Sequence, residues 1–169
     1  LLLENIHNVA EENFKAAGFN VETLKSALTE DELICKIKDV SILCIRSKTQ
    51  ITKKVLQNAD SLIAIGAFCI GTNQIDLIAA AEIGIPVFNA PFSNTRSVVE
   101  LAVGEIIMLM RSVTDKSVNM HMGIWDKSSK SSFEVRGKYL GIIGYGNIGA
   151  QLSVLAESLG MKVIFYDIQ

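Results

Sequence analysis

The chain has 169 residues, almost half of them hydrophobic and a fifth charged, with a formal net charge of −2. That is enough apolar material for one domain, or one and a part, around a buried core. The weak negative charge, with no basic stripe, argues against nucleic acid as a partner, and no apolar segment is long enough to span a bilayer.

Taken in order, Leu1–Leu3 reads as the end of a buried strand that stops at Glu4-Asn5. A helix over Val9–Ala17 is closed by Gly18, and residues 20–24 suit a short strand. Thr29 opens a second helix through a capping box with Glu32, with Leu33, Ile34 and Ile37 as its apolar face. Val40–Ile45 is rich in β-formers, Ile51–Ala59 is a helix opened by Thr52, and Leu62–Ile65 is a buried strand ending at Gly66. An alanine-rich helix, Ile75–Ile83, stops at Gly84. Ile85–Phe88 is then a strand whose Pro86 suits a sheet edge. Short apolar runs alternating with helices signal an α/β fold with a parallel sheet. Past a turn-rich crossing at Asn89–Thr95, a long helical stretch runs from Arg96 to Met122, bent near Ser112–Asp115. A polar loop, Gly123–Gly137, follows, with Trp125 its main large apolar residue. We place the domain boundary near Pro91.

Chemistry concentrates in Tyr139–Gln169. An apolar run, Tyr139–Ile143, leads into Gly144-x-Gly146-x-x-Gly149, then a helix-period segment, a stop at Gly160, and a second apolar run, Lys162–Tyr166, ending at Asp167. Glycines between a strand and a helix, with an acid eighteen residues beyond the last, form a dinucleotide fingerprint. Gly144 makes the turn, Gly146 lets backbone approach a pyrophosphate, and Gly149 lets the helix pack on the strand. The N–H groups near Asn147 and Ile148, at the positive end of a helix dipole, suit an anion. Asp167 can accept from ribose hydroxyls and would repel a 2′-phosphate, which favours NAD over NADP. Only two strands follow Pro91, where a complete dinucleotide domain has about six. The second domain is therefore expected to be a truncated Rossmann unit.

Ligands of open α/β sheets gather at the carboxyl ends of the strands. Val40–Ile45 is followed there by Arg46-Ser47-Lys48-Thr49, whose cations could take a carboxylate or phosphate, or simply be a solvated turn. Leu62–Ile65 is followed by Gly66–Asn73, a glycine-containing turn able to expose N–H groups to an anion. Cys69, like Cys35 and Cys44, reads as a reduced thiol, mostly packed, as in a cytoplasmic protein. Asn94 and Thr95 could serve substrate or nicotinamide, with Thr95 favoured as a helix N-cap. His7 suits a surface or capping role and His121 an interface. Neither has a recognisable carboxylate partner at short range, so no catalytic residue is assigned, and no metal-ligand set is visible.

The segments Asn89–Glu100 and Arg136–Gly149 resemble the D-isomer-specific 2-hydroxyacid dehydrogenases, and the resemblance runs along the whole chain. Cys69–Asp76 and Arg46–Thr49 are similar to the bacterial type that acts on 3-phosphoglycerate. The resemblance implies a flavodoxin-like, parallel substrate domain over residues 1–91. It also implies the first βαβ part of an NAD-binding domain over residues 92–169. It further implies oxidation of D-3-phosphoglycerate to 3-phosphohydroxypyruvate, the first step of serine biosynthesis. By the same resemblance Arg46, Ser47 and Lys48 hold the anionic ends of the substrate, the backbone at Cys69 and Ile70 its carboxylate, and Asn94 lies near the nicotinamide. Gly144, Gly146, Asn147, Ile148 and Gly149 meet the pyrophosphate, and Asp167 the ribose. Residues 96–127 match the region through which such subunits form homodimers or homotetramers, with Trp125 and Lys127 reaching a neighbour. Two departures stand out. Some relatives carry arginine where Ala67 stands. The family's catalytic arginine, glutamate and histidine fall after Gln169, so the chain is expected to be an inactive N-terminal fragment. The alternatives are another NAD-dependent D-2-hydroxyacid dehydrogenase, or a non-catalytic NAD-binding relative.

Overall fold

The structure of the protein, a computed structural model, describes residues 1–168; Gln169, the last residue of the expected second domain, lies outside them. The chain divides into two compact units, Leu1–Ser93 and Asn94–Gln169.

In the first unit, α1 (Asn8–Ala16) is followed by α2 (Glu30–Ile37), β1 (Ile42–Ile45), α3 (Lys53–Leu56), β2 (Ala64–Ala67), α4 (Leu77–Ile83) and β3 (Val87–Asn89). The three strands form a parallel sheet in the order β1-β2-β3. Two further segments extend it as isolated parallel bridges: Leu2 pairs with Cys44 on one side and with Thr23 on the other. Counting the Leu2 segment as first strand and the Thr23 segment as second, the order is 2-1-3-4-5, the flavodoxin-like arrangement. Helix starts follow the sequence signals. Thr29 and Glu32 form the reciprocal capping box, and Thr52 caps α3. Asp76, which the sequence reading passed over, caps α4 through Ala79 N–H at 2.9 Å. Leu33 and Ile37 of α2 join Leu3, Leu43, Ile45, Val55 and Ile65 in one buried core. Each such side chain contributes roughly 1.5–3 kcal/mol of burial free energy.

Four expectations shift in this unit. The strand foreseen at Leu62–Ile65 runs instead over Ala64–Ala67. Gly66 does not end it but pairs with Cys44 and Phe88, where an added Cβ would come within 3.2 Å of the Cys44 sulfur. Residues 20–24 make a single bridge rather than a strand, and the helix expected over Ile51–Ala59 is a single turn, because Ile51 pairs with Ile75. Cys44 is buried and Cys69 half-buried, but Cys35 is exposed on α2 and departs from the packed-thiol expectation.

The second unit contains α5 (Thr95–Met110), α6 (Val113–His121), β4 (Tyr139–Ile143), α7 (Asn147–Ser158) and β5 (Lys162–Tyr166). The long helix breaks at Ser112, whose φ is 52°. The polar loop that follows is tied back to that break, with Phe133 N–H on the Met110 carbonyl at 2.7 Å. Strands β4 and β5 pair in parallel, and α7 packs on both strands and on α5. Thr95 is not the N-cap. Asn94 holds that position without a side-chain bond, and Thr95 is the buried first residue of α5.

Helix α7 lies so close to the end of β4 that a Cβ on Gly149 would fall 2.3 Å from the Gly144 carbonyl oxygen. Gly149→Ala is expected to cost roughly 1–3 kcal/mol of stability through overpacking. Denaturant unfolding measures this, and an unchanged midpoint would contradict the close approach.

Candidate functional site

In the order 2-1-3-4-5 the connections reverse direction between the first and third strands, and such a reversal opens a crevice at the carboxyl ends. An open cavity of about 660 Å³ lies there, lined by Asn5, Ile6 and His7 after the first strand, Lys25 after the second, Arg46 after β1 and Phe68 after β2. Another hollow, about 490 Å³, opens beside Leu1, Asp39 and Ser41 at the amino ends of the strands. The carboxyl-end cavity is the stronger candidate, because Arg46 and Lys25 line it.

The turn after β1 carries Arg46, Ser47 and Lys48 as exposed side chains, followed by buried Thr49. Its backbone is held from two directions. Glu4, 7% exposed, accepts the N–H groups of Lys48 (3.0 Å) and Thr49 (2.8 Å). Buried Gln74 donates its amide to the Arg46 carbonyl at 2.7 Å, and its second N–H faces the Cys69 sulfur and Gly71 carbonyl at 3.2 and 3.3 Å. Burial opposes ionisation of Glu4. The N–H groups of Thr49 and Lys48 outweigh it and hold the carboxyl below its ordinary value. Since those two N–H groups already serve Glu4, an anion at this turn would rely on the Arg46, Ser47 and Lys48 side chains.

The turn after β2 points its carbonyls inward. The Cys69 carbonyl accepts from Ala90 N–H at 3.0 Å, and the Ile70 carbonyl from the Asn89 side chain at 2.7 Å. All peptides here are trans. In a trans peptide the N–H points opposite to the preceding C=O, so the Ile70 and Gly71 N–H groups face away from the scaffold. The donors available to an anion thus extend one residue beyond Cys69 and Ile70. The Cys69 thiol lies 3.3 and 3.2 Å from the Arg46 and Gly71 carbonyls, and its one proton can be donated to either. Cys44 is a packed thiol whose pKa burial raises to about 11.

In the second unit Gly144 turns the chain at φ 92°, and Gly146 is the N-cap of α7 with open space beyond its Cα. No side chain caps α7, and its first hydrogen bond runs from Ala150 N–H to the Gly146 carbonyl. The Asn147 and Ile148 N–H groups therefore stand in the first turn, where no intrahelical acceptor exists. Asp167 follows β5 and reaches the glycine turn, accepting from Tyr145 N–H and, at 2.7 Å, from Ile168 N–H. The Tyr145 ring stacks on Phe165 with centroids 3.8 Å apart, and its hydroxyl meets Ser153 at 2.6 Å, fixing the turn.

The remaining candidates are placed simply. Asn94 is exposed ahead of α5, His7 caps α1 through Val9 N–H at 3.3 Å, and His121 is exposed in the last turn of α6. Among the described residues no group of His, Cys, Asp or Glu could hold a metal, and no helix is long and apolar enough to cross a membrane. The sequence reading missed Glu4, Lys25, Gln74 and Asn89. Their contacts join segments far apart in sequence, for which local pattern carries no signal.

Residues 1–163 match the family described as D-isomer specific 2-hydroxyacid dehydrogenase, catalytic domain. The chain belongs to that family. It is 60% identical over 168 residues to D-3-phosphoglycerate dehydrogenase 2 of Saccharomyces cerevisiae, covering 99% of this chain and 36% of that protein. It is 55% identical over 170 residues to D-3-phosphoglycerate dehydrogenase of Escherichia coli, covering 100% of this chain and 42% of that protein. The chain thus spans about two fifths of the length of these curated relatives. D-lactate dehydrogenase of Aquifex aeolicus, solved with NAD and lactic acid, superposes with a TM-score of 0.83 at 21% identity, covering 99% of this chain and 51% of that one. At that identity the likeness shows the fold alone.

In this D-2-hydroxyacid dehydrogenase chain the lowered pKa of Glu4 has a defined consequence. Its stabilisation is complete above the unfolded value of 4.5 and is lost as the pH falls through the lower folded value. Glu4→Gln should destabilise the protein by roughly 1–3 kcal/mol at neutral pH. The gap between variant and parent should narrow below pH 4.5. Denaturant unfolding across that range measures it; a gap independent of pH would contradict an ionised Glu4.

Proposed function

We propose that the chain supplies the anion-binding turns and the first half of the dinucleotide site of an NAD-dependent dehydrogenase. Its reaction is the oxidation of D-3-phosphoglycerate to 3-phosphohydroxypyruvate, the first step of serine biosynthesis. The observation that carries this reading is the cavity at the reversal of the first sheet, which Arg46 and Lys25 line together with one acid, Glu11. Arg46, Ser47 and Lys48 hold the anionic ends of the substrate, with Lys25 adding a charge, and the backbone at Cys69 and Ile70, joined by Gly71 N–H, holds the carboxylate. Asn94 serves the nicotinamide end. The identity to phosphoglycerate dehydrogenases, above one half, favours a phosphorylated substrate over other 2-hydroxyacids.

The second unit fits a dinucleotide. Gly144, Gly146 and Gly149 give backbone access, Asn147 and Ile148 offer first-turn N–H groups to a pyrophosphate, and Asp167, an acid at the end of β5 beside the glycine turn, reads the ribose. Bound there, NAD would accept the hydride from C2 of the substrate. His7 is occupied as a cap and His121 sits exposed at a helix end, so neither is assigned the proton-accepting role. Residues 96–127 form the contact between subunits of a homodimer or homotetramer. Leu101, Leu109, Val118, Met122 and Trp125 are each more than half exposed, an apolar surface of the kind that marks partner sites.

Two substitutions in the full-length protein test the reading. Arg46→Ala should lower kcat/KM for 3-phosphoglycerate about 10- to 100-fold, the equivalent of one lost charge-assisted contact. It should leave NAD binding unchanged; an unaltered kcat/KM would remove the turn from the site. Asp167→Ala should weaken NAD more than NADP, by roughly 1.5–3 kcal/mol per lost charge-assisted bond before water compensates. Titration of both cofactors measures it, and equal losses would rule out ribose reading by Asp167.

A further inference from the structure

Glu4 stands where the first strand ends, and the turn it touches follows β1, so the carboxylate joins two segments whose neighbours Asn5 and Arg46 line the crevice. Its oxygens take one N–H each from Lys48 and Thr49, residues 44 and 45 positions away. The carboxylate is buried, whereas the Arg46, Ser47 and Lys48 side chains are exposed. Glu4 therefore supports the turn from behind instead of competing for its ligand. The backbone is bent to make this possible. Glu4 and Asn5 have φ of 62° and 54°, a region that L side chains seldom adopt and that persists only where the surroundings enforce it. Here Glu4 N–H is held by the Ser26 carbonyl and Asn5 N–H by the Leu24 carbonyl, both at 3.2 Å. Gln74 grips the other end of the turn at the Arg46 carbonyl. Ser47 lies between two anchored ends.

We infer that Glu4 is a positioning residue, whose carboxylate fixes the Arg46–Thr49 turn in the shape that presents Arg46, Ser47 and Lys48 to the anionic substrate. The inference rests on the function proposed above. A carboxylate is needed because two N–H donors must be met by two acceptor oxygens. An amide would oppose one donor with its own NH₂. Anion contacts made by flexible side chains on a turn are only as accurate as the backbone beneath them.

Steady-state kinetics of the full-length protein test this with 3-phosphoglycerate as the varied substrate. Glu4→Gln should raise KM for 3-phosphoglycerate roughly tenfold, with kcat and KM for NAD little changed, because the turn is misplaced while the cofactor unit is not. Glu4→Asp keeps the charge but withdraws it by one methylene, and should give an intermediate rise; it decides the matter if Glu4→Gln does not fold. A wild-type KM in either folded variant overturns the inference. So does a loss of melting temperature accompanied by parallel damage to kcat and both KM values, which marks a merely structural role. Arg46→Ala separates the two levels of argument. If it is impaired while the Glu4 variants behave as wild type, only the role of Glu4 fails. If Arg46→Ala is itself silent, the reading of the turn as an anion site fails first.

Discussion

A parallel sheet delivers the carboxyl end of every strand to one edge, and in the first unit everything that could meet a ligand follows from where the connections reverse there. Because the Leu2 segment pairs with both Cys44 and Thr23, the turns after the first strand, the Thr23 segment, β1 and β2 converge on one crevice. The sheet alone would leave those turns loose. What stiffens them is polar: buried Glu4 on the Lys48 and Thr49 N–H groups, buried Gln74 on the Arg46 and Gly71 carbonyls, and exposed Asn89 on the Ile70 carbonyl. Buried polar networks of this kind help to specify one conformation only when every member is satisfied.

The second unit solves a related problem by removing atoms. Gly149 admits α7 to within contact of the Gly144 carbonyl, and Gly146 leaves open space at the helix start. Asp167 then links the end of β5 back to the turn through Tyr145 N–H, and the Tyr145–Phe165 stack lies against the same turn. The acid and the glycines, far apart in sequence, thus form one structural unit.

The legible part of this molecule was local. The capping box at Thr29, the stop at Gly84, the bend at Ser112 and the pairing of Tyr139–Ile143 with Lys162–Tyr166 all depend on neighbours within a few residues or on hydrophobic period. The family too was legible, because the Asn89–Glu100 and Arg136–Gly149 segments carry the resemblance, and residues 1–163 match it. Errors arose where tertiary contact overrode local meaning. Gly66 looked like a terminator but lies inside β2 close to the Cys44 sulfur, and Ile51 left its helix to pair with Ile75. The supports of the anion turns were invisible for the same reason. A glutamate after three leucines reads as the end of a strand, and nothing nearby in sequence announces that its carboxylate is used 44 residues later.

The account stands on the claim that the crevice beside Arg46 serves a substrate carrying a phosphate as well as a carboxylate. The most direct measurement is kcat/KM of the full-length protein for D-3-phosphoglycerate against D-glycerate, which differs only by the phosphate, with NAD saturating. A preference for the phosphorylated acid of at least about 100-fold is predicted, the worth of two charge-assisted contacts partly offset by desolvation. Equal efficiency on the two acids would contradict it.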